Sequence, residues 1–406
     1  MEKSFFDSFR TGSYQRDNFD KFLKAIHFQY KTPSIHIAGT NGKGSTTTYL
    51  SYAYAECGYK VGAFRSPFLD EPNEMICVNN VEISDEQFMS IYNQYKKEIN
   101  KFNLSAFEVQ TFVALSFFDQ SKCDIAIIEC GLGGETDATN VFTPILSIIT
   151  TIALEHTDSL GYSISEIAIQ KAGIIKEEVP VLVGDLHEDA IKVIAEVAKD
   201  NKSKICYKSF YVNEHYTDEG YDFDYGEFGT LHIKSLVQYS IHDCTMSLEA
   251  MTILKDRIPY DVEKVKAGIA KAFVPCRFEV VSKSPLVIID GSHNPEGIAA
   301  LCDKSLYNVV RDKPLHVIFS CFRDKNIANM LAVLGSVTDD LTMTTFDNPR
   351  ARTEEEYFLF LGDYQFRENA VELLKEKMEQ FPEDVILVTG SLAFAAYMRK
   401  AFKERK

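Results

Sequence analysis

The apolar run from Ile35 to Ala38 passes directly into Gly39-Thr40-Asn41-Gly42-Lys43-Gly44-Ser45 and then into a helical pattern from Thr46 onward. A strand that ends in a glycine-rich turn and continues as a helix is the architecture of a nucleotide phosphate site. Gly39, Gly42 and Gly44 accept positive φ without a side-chain clash, so successive backbone N–H groups can converge on an anion at the helix N-terminus. Lys43 offers a point charge for the β- and γ-phosphates. The spacing departs from a strict GxxxxGK[ST], because Gly44 separates Lys43 from Ser45 and the first glycine stands closer to the lysine. A bare glycine turn is the alternative, and lysine, serine and strand context together weigh against it. Gly39, Thr40, Asn41, Gly42, Lys43, Gly44 and Ser45 are therefore the expected nucleotide-binding segment.

Short β-rich runs recur after this one, at 61–64, 124–129, 145–150 and 179–183, with helical or connecting segments between. That rhythm predicts βαβ units and a parallel sheet. Tyr49, Leu50, Ala53, Tyr54 and Cys57 fall at helical spacing and predict one inner face packed on the sheet. Residues 206–245, rich in Tyr, Asp and Gly, read as hairpins and loops. A second α/β rhythm follows Pro275, with strands at 286–289, 315–319, 341–346 and 385–389 and helices after Pro295, Asn326 and Ser391. At 406 residues the chain is expected to hold two domains, 1–276 and 277–406.

A net charge of −16 repels nucleic acid and anionic membranes over long range, so an anionic substrate must meet local cations. Nucleic-acid and membrane partners are discounted. The nine cysteines include no CxxC pair, and the charged first ten residues carry no apolar leader core, so a reducing, cytoplasmic setting is expected.

Several polar residues fall at the C-terminal ends of the expected parallel strands, where open α/β sheets place ligands. Ser66 follows 61–64, Glu129 ends a strand and opens the loop GLGGETDATN, and His156 follows 145–150. A hydroxyl, a carboxylate and an imidazole can share magnesium bound to ATP phosphates, although imidazole is an unusual partner for so hard an ion. Taken singly, His156 reads as a structural histidine and Glu129 equally as a surface residue. Lys171 lies among apolar neighbours on a helical segment and, if it faces inward, must be paired, deprotonated or modified. In DGSHNPEG, Asp290 and His293 follow a strand, while Asn294 and Pro295 suit a helix start, which is also the bland reading of that turn. Arg277 near the expected boundary is placed to reach a phosphate, or else is an ordinary solvated arginine.

Taken together, GTNGKGS (39–45), SPF (66–68), FE (107–108), GLGG with DATN (131–140), EHTDSLG (155–161) and KAGIIK (171–176) resemble the Mur ligase superfamily. Within it they resemble most the folylpolyglutamate synthase and dihydrofolate synthase family. PCRFEV (275–280), DGSHNP (290–295), RDKN (323–326), PRA (349–351) and GSLAFA (390–395) continue the resemblance in order along the chain. It implies an N-terminal P-loop-type parallel-sheet ATPase domain with a smaller, Rossmann-like C-terminal α/β domain. It also implies an ATP- and Mg2+-dependent amide ligase. A folate carboxylate attacks the γ-phosphate, and the resulting acyl phosphate is attacked by the amine of L-glutamate, giving ADP, phosphate and the extended folate.

By the same resemblance, Lys43 and Arg277 serve the phosphates, and Ser66, Glu129 and His156 match the magnesium positions. Asp290 matches a nucleotide contact, and His293 a histidine near the reaction centre. Lys171 matches a lysine carbamylated in the family, a change that turns a buried cation into an anionic oxygen donor. Lys43, Lys171, His293 and Asp290 are the implied catalytic set. Glu135, Thr136 and Asp137 occupy the folate-contacting loop, and a monomer is implied.

Departures from the family pattern are specific. Glu135 and Thr136 stand where bifunctional members carry an arginine and an apolar or aromatic residue, which weakens the dihydropteroate reading. Glu155 lengthens the usual aspartate before His156, and Cys276 replaces a glycine. Asp243 stands where an ATP-contacting asparagine is expected. Thr11-Gly12 and Arg16 are remnants of a substrate-contacting segment. Folylpolyglutamate synthesis is the leading expectation, dihydrofolate synthase or a bifunctional enzyme the alternative within ligases, and a degenerate ATP-binding or regulatory protein the alternative of another class.

Overall fold

The computed structural model describes residues 5, 6, 9, 16–360 and 364–404. The chain divides into two compact units. The first takes the described residues up to Glu214 with Phe223–His232 and His242–Ala272, and the second takes His215–Asp222, Ile233–Ile241 and the residues from Phe273 onward. The division falls a few residues before the expected one at 276/277, and two upstream segments belong to the second unit.

The first unit is built on eight strands: β1 Ser34–Ala38, β2 Val61–Phe64, β3 Ile76–Val78, β4 Val81–Glu82, β5 Ile125–Glu129, β6 Leu146–Ile149, β7 Val181–Val183 and β8 Ile205–Tyr207. Their order in the sheet is β4-β3-β2-β5-β1-β6-β7-β8. From β2 to β8 neighbours run parallel, and β3 and β4 add an antiparallel edge. β1, β2, β5, β6 and β7 are buried at every residue, which is why the sequence shows them as unbroken apolar runs. One face is covered by an aromatic-rich cluster including Phe19, Phe22, Phe88, Phe112 and Phe118. The same face is covered farther along, over β6 and β7, by Ile167, Ala168, Ile174, Ala190 and Ile194, because Ala38, Ile149, Val181 and Val183 share the side of the sheet on which Phe64, Ala126 and Ile128 lie. β1 lies centrally between β5 and β6, so the chain leaves it at the point where strand order reverses.

The segment read as hairpins and loops is regular at both ends. β8 closes the large sheet, β9 Val212–Thr217, β10 Gly220–Tyr225 and β11 Gly229–Ile233 form a three-stranded sheet, and Tyr239–Ile253 is a helix. Ile241, Cys244, Met246 and Leu248 of that helix are buried, and so are Ser240, Asp243, Thr245 and Ser247. A helix whose buried positions mix polar with apolar residues carries no apolar stripe for a periodicity reading to find. The Lys43–Glu56 helix differs from expectation for the same reason. It is buried nearly all round, because Ser247 Oγ donates to Thr46 O at 3.1 Å on one side and the Val262–Lys271 helix packs on another. A Cβ on Gly268 would stand 2.6 Å from Tyr52 O, so only glycine permits that approach.

The second unit carries β12 Glu279–Lys283, β13 Leu286–Ile289, β14 Leu315–Phe319, β15 Asp340–Thr345, β16 Gln365–Asn369 and β17 Val385–Thr389, in the order β12-β13-β17-β14-β15-β16. All pairs are parallel except the β12–β13 hairpin. Ile288, Val317, Phe319, Met343 and Leu387 centre its core. Helices begin at Pro295, Ile327 and Leu392, where their start signals predict them. No described helix is long and apolar enough to cross a membrane.

Candidate functional site

The glycine turn follows β1. A Cβ on Gly39 would collide with Thr150 Oγ1, and Gly42 sits at φ 86 as the N-cap of the Lys43–Glu56 helix without a side-chain cap. The first-turn N–H groups of that helix therefore have no capping side chain at Gly42, the arrangement that receives an anion. Two threonines after β6 pin the turn. Thr150 Oγ1 donates to Asn41 O at 2.6 Å, and Asn41 N donates to Thr151 Oγ1 at 2.8 Å. Lys43 Nζ donates to Gly39 O at 3.0 Å and Thr40 O at 3.2 Å.

Lys171 joins the same carbonyl. It lies in the last turn of the Ile164–Ala172 helix, which starts on a Ser163–Glu166 capping box. Its Nζ donates to Gly39 O at 2.8 Å, and the residue is 4% exposed. Burial, reinforced by the charge of Lys43, brings its pKa down to about 7. Glu129, at the end of β5 and also buried, accepts Ser66 N at 3.2 Å through Oε2. The same oxygen lies 3.3 Å from where a Cβ on Gly44 would stand. Ser66, Glu129, Gly44, Gly39, Lys43 and Lys171 thus form one polar floor. His156 is an exposed residue at φ 51, N-capping Thr157–Leu160, with Nε2 3.7 Å from Glu155 Oε1.

The donor set suits Mg2+. Among the described residues no three His, Cys, Asp or Glu side chains gather as a ready-made cage. Mg2+ keeps waters and takes one or two carboxylates together with substrate phosphates, so a single buried Glu129 beside a hydroxyl and a phosphate turn fits it.

The loop after Glu129 corrects one expectation. Glu135 and Thr136 are exposed, whereas Asp137 is 4% exposed and turned inward. Its carboxylate accepts Leu132 N at 2.8 Å and Thr139 N at 2.9 Å, so it holds the loop together and does not present itself to a ligand. Burial raises its pKa against the lowering effect of those bonds. Arg16 ties the loop from outside, donating to Glu135 O at 2.6 Å and Asn140 O at 2.8 Å. Gly134 lies against the Lys171 helix, where a Cβ would be 2.8 Å from both Gln170 O and Lys171 O. Thr11 and Gly12 lie outside the described residues.

In the second unit, β13 delivers a fully buried Asp290. Oδ2 accepts Tyr239 OH at 2.7 Å and Phe278 N at 2.8 Å, and Oδ1 accepts Ser292 N at 2.8 Å. Asp290 is therefore the fastener between the 276–278 turn and the strand end. Arg277 lies over that end, its Nη1 3.2 Å from where a Cβ on Gly291 would stand. Cys276, in the glycine's place, adopts φ 57, a left-handed conformation costing a non-glycine residue about 1 kcal/mol or more. Glu279 Oε2 accepts Cys276 N at 2.9 Å and Arg399 Nε at 2.7 Å, which holds the strained residue in place. His293 Nδ1 lies 3.1 Å from Gly291 O and, facing a carbonyl, carries the proton that donates to it. Asn294 caps the Pro295–Leu301 helix through Gly297 N at 2.7 Å, as its sequence predicts.

Thr150, Thr151, Arg16 and Tyr239 do structural work that the sequence reading passed over or gave another role. The two threonine hydroxyls at a strand end were a usable signal, whereas Tyr239 lay in the segment read as loop.

A family model described as Mur ligase, glutamate ligase domain, matches residues 276–392. A dihydrofolate synthase/folylpolyglutamate synthase of Bacillus subtilis (strain 168) is 31% identical over 398 residues, spanning 93% of this chain and 92% of its own length. Mycobacterium tuberculosis folylpolyglutamate synthase complexed with ADP superposes with a TM-score of 0.91 at 25% identity, covering 98% of this chain and 97% of that one. Escherichia coli FolC in complex with DHPP and ADP gives 0.86 at 29% identity, covering 99% and 97%.

Proposed function

The chain belongs to the folylpolyglutamate synthase and dihydrofolate synthase family, and on that premise we propose that it joins L-glutamate to a reduced folate at the expense of ATP. The folate carboxylate takes the γ-phosphoryl group, and glutamate's amine displaces phosphate from the acyl phosphate, leaving ADP, phosphate and the lengthened folate. Both reacting partners of the first step are anions, so rate depends on neutralising charge and holding the groups in line. The observation that carries this reading is the convergence of Lys43 and Lys171 on one carbonyl of the phosphate turn, with Glu129 packed against Gly44.

Lys43 is assigned to the phosphates, together with the N–H groups from Gly39 to Ser45. Glu129 and Ser66, with His156 and a carbamylated Lys171, would hold Mg2+, which supplies charge neutralisation between phosphates when bound. Asp290 positions Arg277 and His293 for the nucleotide and the reacting end, and Glu135 and Thr136 offer an exposed loop surface to the folate. All nine cysteines are free thiols, which supports a cytoplasmic enzyme. We place it there as a monomer whose partners are small molecules, without nucleic acid or membrane.

The Bacillus subtilis relative carries both activities in its name, which keeps dihydropteroate as a second acceptor. One experiment tests both readings: ADP release with Mg·ATP and L-glutamate, comparing tetrahydrofolate with dihydropteroate, and mass spectrometry of the products. Glutamylated tetrahydrofolate alone marks a dedicated polyglutamate synthase, and product from dihydropteroate marks a bifunctional one. Nucleotide turnover that ignores both acceptors would overturn the ligase reading.

A further inference from the structure

The centre of β1 carries a titratable side chain that the ligation chemistry above leaves without a task. His36 is fully buried three residues before Gly39, in register with Ile128 of β5 and Ser147 of β6. Its Nε2 lies 2.8 Å from Thr139 Oγ1 and 3.1 Å from Cys130 Sγ. Both neighbours belong to the segment that leaves β5 and passes through the exposed Glu135 and Thr136. Cys130 opens that segment and Thr139 nearly closes it, so one ring nitrogen touches both of its ends.

The protons fix the direction of these bonds. Asp137 accepts backbone N–H groups on both oxygens, from Leu132 and Thr139, which is the pattern of a carboxylate. Thr139 Oγ1 lies 2.5 Å from Asp137 Oδ1, so the hydroxyl proton goes to Asp137 and the hydroxyl oxygen is left as an acceptor for His36. Burial, with Lys176 second, lowers the His36 pKa to about 3, so near neutral pH the ring holds a single N–H. That N–H is on Nε2 and donates to Thr139. Nδ1 is then a bare acceptor, and it has no hydrogen-bond partner among the described residues. A buried acceptor left unmet costs stability, so packing alone gives no reason for an imidazole at this place.

We propose that His36 is a positioning residue for the folate: by donating to Thr139 it holds the 131–140 loop in the shape that presents Glu135 and Thr136. The inference rests on the ligase reading above and deepens it. His36 touches no substrate and acts through a chain of donors, His36 to Thr139 to Asp137, while Asp137 also gathers Leu132 N at 2.8 Å. The donor on β1 thus sets the loop from its C-terminal end. The phosphate turn is pinned separately, by Thr150 and Thr151. Loss of the His36 donor therefore weakens the hold on folate and leaves the hold on ATP unchanged.

The test is steady-state kinetics of the full chain with Mg·ATP, L-glutamate and tetrahydrofolate, comparing wild type with His36→Leu and His36→Gln, and thermal melts to show that the variants fold. His36→Leu removes the donor and the unmet acceptor together, whereas His36→Gln places an amide N–H near the position of Nε2. In His36→Leu the KM for tetrahydrofolate should rise about fivefold or more, the loss of one ordinary hydrogen bond, while the KM for ATP stays within about twofold. His36→Gln should bring the folate KM back to within about twofold of wild type. Thr139→Val removes the acceptor and should raise the folate KM alone, and adding His36→Leu to it should raise that KM no further. If His36→Leu does not fold, Thr139→Val decides the question by the same comparison of the two KM values. Folate and ATP KM values that rise together, or a His36→Gln no better than His36→Leu, assign His36 to packing of the sheet and overturn the proposal. An unchanged folate KM in a folded His36→Leu overturns it too and leaves the ligase reading intact. A wild type that turns over no folate overturns the proposal and the ligase reading together.

Discussion

Lys171 and Lys43 donate to the same acceptor, the carbonyl oxygen of Gly39, at 2.8 and 3.0 Å. Two ammonium groups on one oxygen repel each other. The more buried of them, Lys171, yields the proton more easily, with its pKa brought down to about 7 by burial first and Lys43 second.

That shift has a stability signature. Between about pH 7 and the ordinary lysine value of 10.5, the unfolded chain binds a proton at this site that the folded protein does not, so stability rises with pH across the window. Burial of the cation is fully destabilising below about pH 7. In CO2-depleted buffer, Lys171→Met should be more stable than wild type at pH 6, with its advantage shrinking by about 2–3 kcal/mol by pH 9. Urea denaturation at the two pH values measures this, and a difference that does not change with pH would sink the assignment.

A neutral amine is also what attacks CO2: its lone pair forms an N–C bond, one C=O π pair moves onto oxygen, and one proton leaves the nitrogen to give the carbamate. Protein equilibrated with 13C-bicarbonate near pH 8 should show a carbamate resonance that Lys171→Arg lacks. Lys171→Ala should lose about 100-fold or more of its ligase activity and recover part of it with short carboxylic acids, since a carboxylate restores the missing oxygen donor. Rescue by none of them would count against the carbamate.

Gly134 touches the backbone of the helix that carries Lys171, with a Cβ expected 2.8 Å from Gln170 O and Lys171 O. Gly134→Ala must push the loop and the helix apart, costing about 1–3 kcal/mol. Because the displaced helix carries Lys171, ligase activity should fall by more than the loss of folded protein explains. Gly58→Ala is the control: at φ 96 with nothing within 4 Å, it meets only backbone strain. Equal effects of the two substitutions on activity would refute the coupling.

Tyr239 and Asp290 make the corresponding prediction for the second unit. Tyr239→Phe removes one donor from a buried carboxylate and should cost about 1.5–3 kcal/mol. Asp290→Asn should cost at least as much, since its amide group must face either the Ser292 N–H or the donors Tyr239 OH and Phe278 N. Chemical denaturation checks both, and a neutral Tyr239→Phe would show that the hydroxyl is replaced by water.

The parallel strands and the phosphate turn were legible in the sequence because their causes are local. A strand buried on both faces must be an unbroken apolar run, and a turn that needs glycine at Gly42, φ 86, must spell glycine. The cap at Asn294 was equally local. The Tyr239–Ile253 helix was not, because its buried positions include Ser240, Asp243, Thr245 and Ser247, which erases the apolar periodicity that marks a helix. Nor was the inward turn of Asp137, whose neighbours Glu135 and Thr136 have the same polar character and point outward. By itself the sequence determined which residues can bear charge, bend the chain or start a helix. Only the tertiary structure decided that Lys171 shares an oxygen with Lys43 and that Asp243 rests on Gly42. Those encounters join residues 128 and 201 positions apart, and no local propensity specifies contacts at that separation. They exist because packing the sheet and its helices leaves these side chains one place to go.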